Sequence, residues 1–246
     1  MKLACSDSFH QGYSRASELN NVEKVVKHDD GEVFDIELAE SILKANEDLA
    51  AKNRELLQRH GIKSIDIMGS IGSGKTSLIE CIVQRLKGRC RIAVLNGDLT
   101  TTIDADRVAK HGVKVIQINT GKECHLDANL VAKAFDEMRL DQLDLLLIEN
   151  VGNLICPGEF RLGADKRLVV ISVTEGPYMV LKHPFIFMEA DAVVINKLDL
   201  AEAMGVEFEK LRDDVRKINP SARVVGTSCR NDLGIEKVIQ ALQIGD

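Results

Sequence analysis

The sequence predicts an α/β fold in which a parallel sheet is covered by helices, and three observations point there. After Ile62, short apolar runs alternate with helical patterns, the arrangement that lays helices over a parallel sheet. The runs are rich in Leu, Ile and Val with little alternation, as strands buried on both faces require. One run leads directly into a glycine-rich turn and then a helix, Gly69-Ser-Ile-Gly-Ser-Gly-Lys-Thr76. The chain of 246 residues has room for one large domain with an appendage.

Taken in order, residues 1–34 are polar and lack a clear period, and they read as an irregular arm carrying Cys5, His10 and His28. From Asp35, the residues Ile36, Leu38, Ala39, Ile42, Leu43, Leu49, Ala50, Leu56 and Leu57 recur at three- and four-residue steps. That spacing makes one face of an N-terminal amphipathic helix over 35–61, with Asp35 as N-cap and Gly61 as its stop. Residues 62–246 form the main domain. Its strands are expected at Ser64–Met68, Arg91–Leu95, Lys114–Ile118, Leu143–Ile148, Leu168–Val173, Ala192–Ile195 and Arg223–Val225. Helices are expected at Lys75–Leu86, Ile103–Lys110, Ala128–Met138, Val206–Ile218 and Ile235–Leu242. His60 and His111 fall near helix ends, where a histidine commonly meets the last carbonyls; His183, before Pro184, has no obvious partner.

Composition excludes several function classes. With 32 basic and 38 acidic residues the net charge is −6, which argues against a broad nucleic-acid-binding face. No apolar run approaches the ~20 residues that span a bilayer, and the N-terminus lacks the apolar stretch of a signal peptide, so a cytoplasmic protein is expected. The six cysteines, Cys5, Cys81, Cys90, Cys124, Cys156 and Cys229, are then expected to be reduced. No C-x-x-C occurs, which removes the zinc-ribbon and thioredoxin patterns.

Gly69–Thr76 fits G-x-x-x-x-G-K-[ST] between a strand and a helix, the context that motif demands. Gly69, Gly72 and Gly74 let backbone N–H groups of the turn, including Ser70, Ser73 and Ser77, approach phosphate oxygens. Lys75 supplies a cation near the terminal phosphates, Thr76 a hydroxyl for Mg²⁺, and the helix N-terminus favours the anion. The fold therefore reads as P-loop NTPase-type. Asn196-Lys197-Leu198-Asp199 follows another strand. In an N-K-x-D turn the Asp199 carboxylate accepts the two N–H groups that guanine presents and adenine lacks, the Lys197 stem lies along the ring, and Asn196 braces the loop. The expected nucleotide is GTP. Thr227-Ser228-Cys229 follows the next strand, where a loop touching the base is expected. Asp98 and Glu149 end strands and point to the ligand crevice, as candidates to hold Mg²⁺ or orient the attacking water. Asp104 could cap its helix.

Cys124 and His125 are adjacent, and Cys156 lies after another strand. Two thiols and an imidazole suit Zn²⁺ or Ni²⁺ rather than Mg²⁺. By spacing alone such a dipeptide is more often a core thiol beside a surface imidazole. Three ligands also leave a tetrahedral shell incomplete, to be closed by water or a second subunit. Cys81 and Cys90 read as core thiols, and Cys229 as a neighbour of the base loop.

With these residues in hand, the chain from about Ile36 onward resembles the HypB family of hydrogenase maturation factors, nickel-handling GTPases. The resemblance rests on Gly69–Thr76, Asn96-Gly-Asp98 with the segment up to Arg107, Thr120–Ala128, Glu149–Pro157 and Asn196–Asp199. It implies GTP hydrolysis with Lys75, Asp98 and Glu149 at the reaction. It implies nickel, or zinc in the same site, on Cys124, His125 and Cys156, and a GTP-dependent homodimer. The implied partners are the nickel metallochaperone HypA and the hydrogenase large subunit. The chain departs from many members in lacking an N-terminal C-x-x-C-G-C motif, and Asn129 stands where some carry a further histidine. Urease accessory GTPases carry Cys-Pro-His at this loop; the direct Cys124-His125 pair favours the hydrogenase branch. An accessory GTPase for urease or a cobalamin enzyme is the alternative.

Overall fold

A computed structural model describes the backbone of residues 33–98, 102–121 and 123–245, with side chains from residue 40. The seven expected strands form as β1 (Lys63–Gly69), β2 (Ile92–Asp98), β3 (Lys114–Asn119), β4 (Leu145–Glu149), β5 (Lys166–Ser172), β6 (Ala192–Asn196) and β7 (Arg223–Gly226). They pair in the order β3-β2-β4-β1-β5-β6-β7, every pair parallel. The helices are α1 (Val33–Arg59), α2 (Lys75–Leu86), α3 (Ile103–Ala109), α4 (Ala128–Asp136), α5 (Cys156–Glu159), α6 (Met179–Lys182), α7 (Pro184–Met188), α8 (Ala201–Met204), α9 (Phe208–Ile218) and α10 (Ile235–Leu242). The short helices α5 to α8 have too few turns to show a period in sequence, and they were not expected. No helix among the described residues is long and apolar enough to cross a membrane.

Strand pleating explains the uniform Leu/Ile/Val runs. Alternate residues point to opposite faces, and both faces are buried. Ile65 and Ile67 of β1, Leu145 and Leu147 of β4 and Leu168 and Val170 of β5 pack beneath α2 and α10. Leu146 and Ile148 of β4 face Leu57 of α1 and Val131 of α4. Met68 of β1 and Val169 of β5 join Phe187 and Leu211 on the same side.

Helix α1 begins at Val33, so Val33 and Phe34 belong to the helix and Asp35 lies inside its first turn rather than at its cap. The arm before it, with Cys5, His10 and His28, lies outside the described residues. Gly61 ends α1 as expected: at φ +66° it donates to Gln58 O while Ile62 N–H donates to Leu57 O, a paired closure that satisfies the last carbonyls. The buried seam of α1 differs from the apolar face predicted. It runs Asn46, Ala50, Asn53, Leu57, while Ile42 is half exposed. The reason is backbone satisfaction. Asn46 Nδ2 donates to Arg161 O at 2.8 Å and its Oδ1 accepts from Ala128 N–H at 2.8 Å. Asn53 Nδ2 donates to Ala128 O and Leu162 O. The helix crosses a loop whose carbonyls need donors, and an apolar seam would leave them unpaired. Gly163 permits the contact, since a Cβ there would stand 2.4 Å from Ala50 O.

One buried charge lies under the sheet's crevice edge. Asp66 of β1 accepts from Asn150 Nδ2 at 3.2 Å and faces Arg167 Nε at 3.9 Å. Burial pushes its carboxyl up to about 6, against the opposing pull of Arg167 and Asn150. Unfolded, the group ionises near 3.8; folded, it keeps its proton to about 6. Between those values the folded state holds the extra proton, so stability falls as pH rises, by up to about 1.4 kcal/mol per pH unit. Asp66→Asn should remove that slope: in chemical denaturation from pH 4 to 6 the wild type loses stability relative to the variant.

Candidate functional site

The C-terminal ends of β1, β2, β4, β5 and β6 meet at one edge, where open parallel sheets bind ligands. Gly69 closes β1 at φ +148°, and a Cβ there would lie 2.1 Å from Val170 O of β5. Only glycine lets the turn start flush against the neighbouring strand. Gly72 and Gly74 also hold positive φ, and a Cβ on Gly74 would lie 2.2 Å from Asn196 Nδ2. Lys75 opens α2 and is buried, its Nζ donating to Gly69 O and Ser70 O at 3.1 Å each. Burial lowers its pKa, while the charges of Glu149, Asp104, Glu175 and Asp98 raise it. Ser73 Oγ donates to Ser70 O. This is an anion cradle of backbone N–H groups, a helix N-terminus and one ammonium.

Thr76 Oγ1 donates to Glu149 Oε1 at 2.7 Å, and Asn96 Nδ2 donates to Glu149 Oε2 at 2.9 Å. The strand register sets Asn96 beside Glu149 and Glu149 beside Ile67, while Thr76 reaches Glu149 from the first turn of α2. Burial pushes the Glu149 carboxyl up to about 7; the Thr76 hydrogen bond and Lys75 pull it down. Asp98 ends β2 two residues beyond Asn96 and is half-buried. Asp104 is not a cap: it sits in the first turn of α3, after Thr102, and pairs with Arg107 at 3.1 Å.

The two loops expected at the base are bolted together. Asn196 Nδ2 donates to Ser73 O at 3.0 Å, and Asn196 Oδ1 accepts from Thr227 Oγ1 and Cys229 N–H. Ser228 Oγ donates to Asp199 Oδ1 at 2.6 Å, orienting the carboxylate. Lys197 takes the left-handed conformation, φ +61°, which turns the chain from β6 into this loop. Gly74, Ser77, Asn196, Lys197, Asp199, Leu200 and Cys229 line a cleft of about 560 Å³. Cys81 is half-buried where the cleft wall meets the core, its Sγ donating to Cys229 O at 3.7 Å. Cys90 is half-buried too, at the rim of the core. His111 meets side chains, not terminal carbonyls: its Nε2 lies 3.6 Å from Glu80 Oε1 and its Nδ1 3.4 Å from Gln84 Nε2.

Cys124, His125 and Cys156 converge. Their ligand atoms all lie within 4.8 Å of one another, with Cys124 Sγ 2.9 Å from Cys156 Sγ and 3.8 Å from His125 Nδ1. The chain bends at 124–125, which lets two adjacent side chains face one point. Asp127 caps α4 just beyond, accepting from Leu130 N–H. Cys156 opens α5. Burial lowers the His125 pKa, which favours the neutral imidazole, and the ring packs against Phe160 at a 3.9 Å centroid distance, tilted by 30°. Two thiols and one imidazole at this spacing form a soft-to-borderline metal-ligating set.

Sequence reasoning missed the residues that join these parts. Asn153 N–H donates to Gly69 O at 3.1 Å, and Asn153 Nδ2 donates to Cys156 Sγ at 3.4 Å. Asn150 Oδ1 accepts from Leu126 N–H and Val151 N–H, holding the two cysteine loops side by side. Arg167 Nη2 donates to Pro157 O and Gly158 O, fixing α5 from below. The one available signal was a run of polar residues at strand ends, which sequence alone cannot separate from solvated loop.

Asn196 is the test of the bolt between phosphate and base loops. Asn196→Ala leaves the buried Ser73 O and Thr227 Oγ1 without this partner, and should cost roughly 2–4 kcal/mol in denaturant unfolding. Gly74→Ala, which drives a Cβ into the same amide, should act in the same direction.

The comparisons with known proteins identify the family. The CobW/HypB/UreG nucleotide-binding domain family matches residues 63–226. The chain is 52% identical over 208 residues to the protein named probable hydrogenase maturation factor HypB of Methanocaldococcus jannaschii, covering 85% of this chain and 94% of that one. The crystal structure of hydrogenase maturation factor HypB from Archaeoglobus fulgidus superposes with a TM-score of 0.77 at 46% identity, over 82% of this chain and 100% of the other. That of HypB from Helicobacter pylori in complex with nickel gives 0.77 at 38% identity, over 81% and 94%. The chain belongs to the HypB family of hydrogenase maturation factors, with the nucleotide-binding domain shared by CobW, HypB and UreG.

Proposed function

We propose that this protein is a GTP-hydrolysing nickel metallochaperone that serves hydrogenase maturation in the cytoplasm. The observation that carries the reading is the attachment of a thiol–imidazole cluster to a phosphate loop: the strap bearing Cys156 bonds to Gly69, the first residue of that loop. Support for nickel comes from the Helicobacter pylori relative, whose crystal structure is in complex with nickel. The donor set accepts Zn²⁺ as well.

The chain's own groups fit the reaction. The triphosphate lies in the cradle of Gly69–Ser77, with Lys75 Nζ leaving its two carbonyls for the phosphate oxygens. Asp199, oriented by Ser228, takes the guanine N–H pair, with Lys197 along the ring. Thr76 Oγ1 and the Glu149 carboxylate are adjacent hard oxygens, and Asn96 Oδ1 beside them is buried without a hydrogen-bond partner among the described residues. Such a set fits Mg²⁺ with its waters, and Thr76, Glu149 and Asp98 would hold it. Mg²⁺ supplies neutralisation of the phosphate charge. Glu149 or Asp98 orients the attacking water. Three ligands leave room in the nickel shell for water or a second copy of the chain. Ile71 on the phosphate loop is 83% exposed and Ile155 beside Cys156 is 59% exposed, a surface suited to a GTP-dependent homodimer. The pathway's nickel-delivery protein HypA and the hydrogenase large subunit are the partners this reading assigns.

Asp199→Asn should lower GTP affinity roughly 100-fold and shift preference toward xanthosine triphosphate in competition binding; an unchanged preference for GTP rejects the base assignment. Lys75→Ala should slow hydrolysis roughly 100- to 1,000-fold. Cys156→Ala should weaken nickel binding about tenfold or more while GTP affinity holds; equal nickel affinity rejects the cluster.

A further inference from the structure

We propose that Asn153 is the positioning residue that relays the state of the phosphate loop to the thiols of the metal cluster. The proposal rests on the nickel reading of Cys124, His125 and Cys156. Asn153 is half-buried and uses its main chain and its side chain in two different sites. Its N–H donates to Gly69 O at 3.1 Å, in an isolated antiparallel bridge off the end of β1. The same carbonyl oxygen accepts Lys75 Nζ at 3.1 Å. Its side-chain Nδ2 donates to Cys156 Sγ at 3.4 Å and to Cys124 O at 3.5 Å. Its Oδ1 accepts from Ile155 N–H at 2.9 Å, a turn that fixes which way the carboxamide faces. One residue thus touches the lysine's own acceptor and both cysteines.

The strap lies too close to the phosphate loop to absorb a shift. A Cβ on Gly152 would stand 2.5 Å from Ile71 Cγ1 and 3.1 Å from the Ile71 backbone. Movement of residues 69–71 therefore pushes on 152–153 directly. Anionic phosphates draw the Lys75 ammonium away from Gly69 O, and that oxygen is then held by Asn153 alone among these two donors. The strap follows Gly69, and the Nδ2–H to Sγ contact changes with it. An N–H donor on a metal-bound thiolate stabilises its negative charge and tunes the ligand's strength. Phosphate occupancy is in this way read out at sulfur through one carboxamide.

The test measures nickel affinity by competition with a chromophoric chelator, with a non-hydrolysable GTP analogue and with GDP. The proteins are the full-length wild type, Asn153→Ala, Asn153→Ser and Cys156→Ala. Serine keeps an oxygen able to accept from Ile155 N–H but cannot reach Cys156 Sγ, so it separates the turn from the relay. In the wild type the two nucleotides should give nickel affinities differing by about fivefold or more. Both Asn153 variants, shown folded by cooperative melting, should bring that ratio to about one. Loss of the N–H donor should also move the thiolate-to-nickel charge-transfer band to longer wavelength. A ratio retained in either variant, an unmoved band, or a wild-type ratio of one overturns the relay. Cys156→Ala separates the two failures: if it binds nickel as tightly as the wild type, the nickel reading falls and the relay falls with it.

Discussion

The carbonyl oxygen of Gly69 is the point on which the two halves of the site depend. It accepts Lys75 Nζ from the phosphate loop and Asn153 N–H from the cysteine strap, each at 3.1 Å. It occupies that place because residue 69 lacks a side chain: any Cβ would collide with Val170 O of β5. A constraint of sub-ångström sterics thus joins an anion cradle to a thiol cluster. The sheet order makes the junction available. With β1 between β4 and β5, the phosphate loop emerges beside Glu149 on one side and Val170 on the other.

Around that junction, polar side chains do the work that regular secondary structure leaves undone. Glu149 faces the phosphate side and Asn150, the next residue, faces the cysteine side, holding Leu126 and Val151 N–H. Asp66 holds Asn150, and Arg167 holds the first turn of α5. On the far side, Asn196 holds Ser73, Thr227 and Cys229 in one grip. Each of these groups is buried, so each carries a desolvation cost offset only if its partners stay in place. The result is a rim whose loops are tied to one another by buried hydrogen bonds.

Much of this was legible in the sequence, and what was not has a common cause. The strands declared themselves by continuous Leu, Ile and Val runs, because both faces of the sheet are buried. The phosphate loop and N-K-x-D turn declared themselves by residue types that few other contexts require. Cys124, His125 and Cys156 were singled out, yet their convergence could not be derived from spacing, because it depends on a bend at 124–125 and a short helix starting at 156. Asn46, Asn53, Asn150 and Asn153 were not singled out at all. Each pairs with backbone groups distant in sequence, and in sequence a buried amide serving a carbonyl looks the same as a solvated one. The helix α1 shows the consequence: an apolar face was expected where two asparagines carry half the buried seam.

The proposed function requires one sheet edge to hold nucleotide and metal on a shared set of loops. Its most direct measurement is anomalous diffraction at the nickel edge from crystals grown with nickel and a GTP analogue. One strong peak is expected within bonding distance of Cys124 Sγ, His125 and Cys156 Sγ, beside a guanine nucleotide seated against Lys75 and Asp199. A nickel peak on other residues, or a nucleotide bound away from Gly69–Thr76, would contradict it.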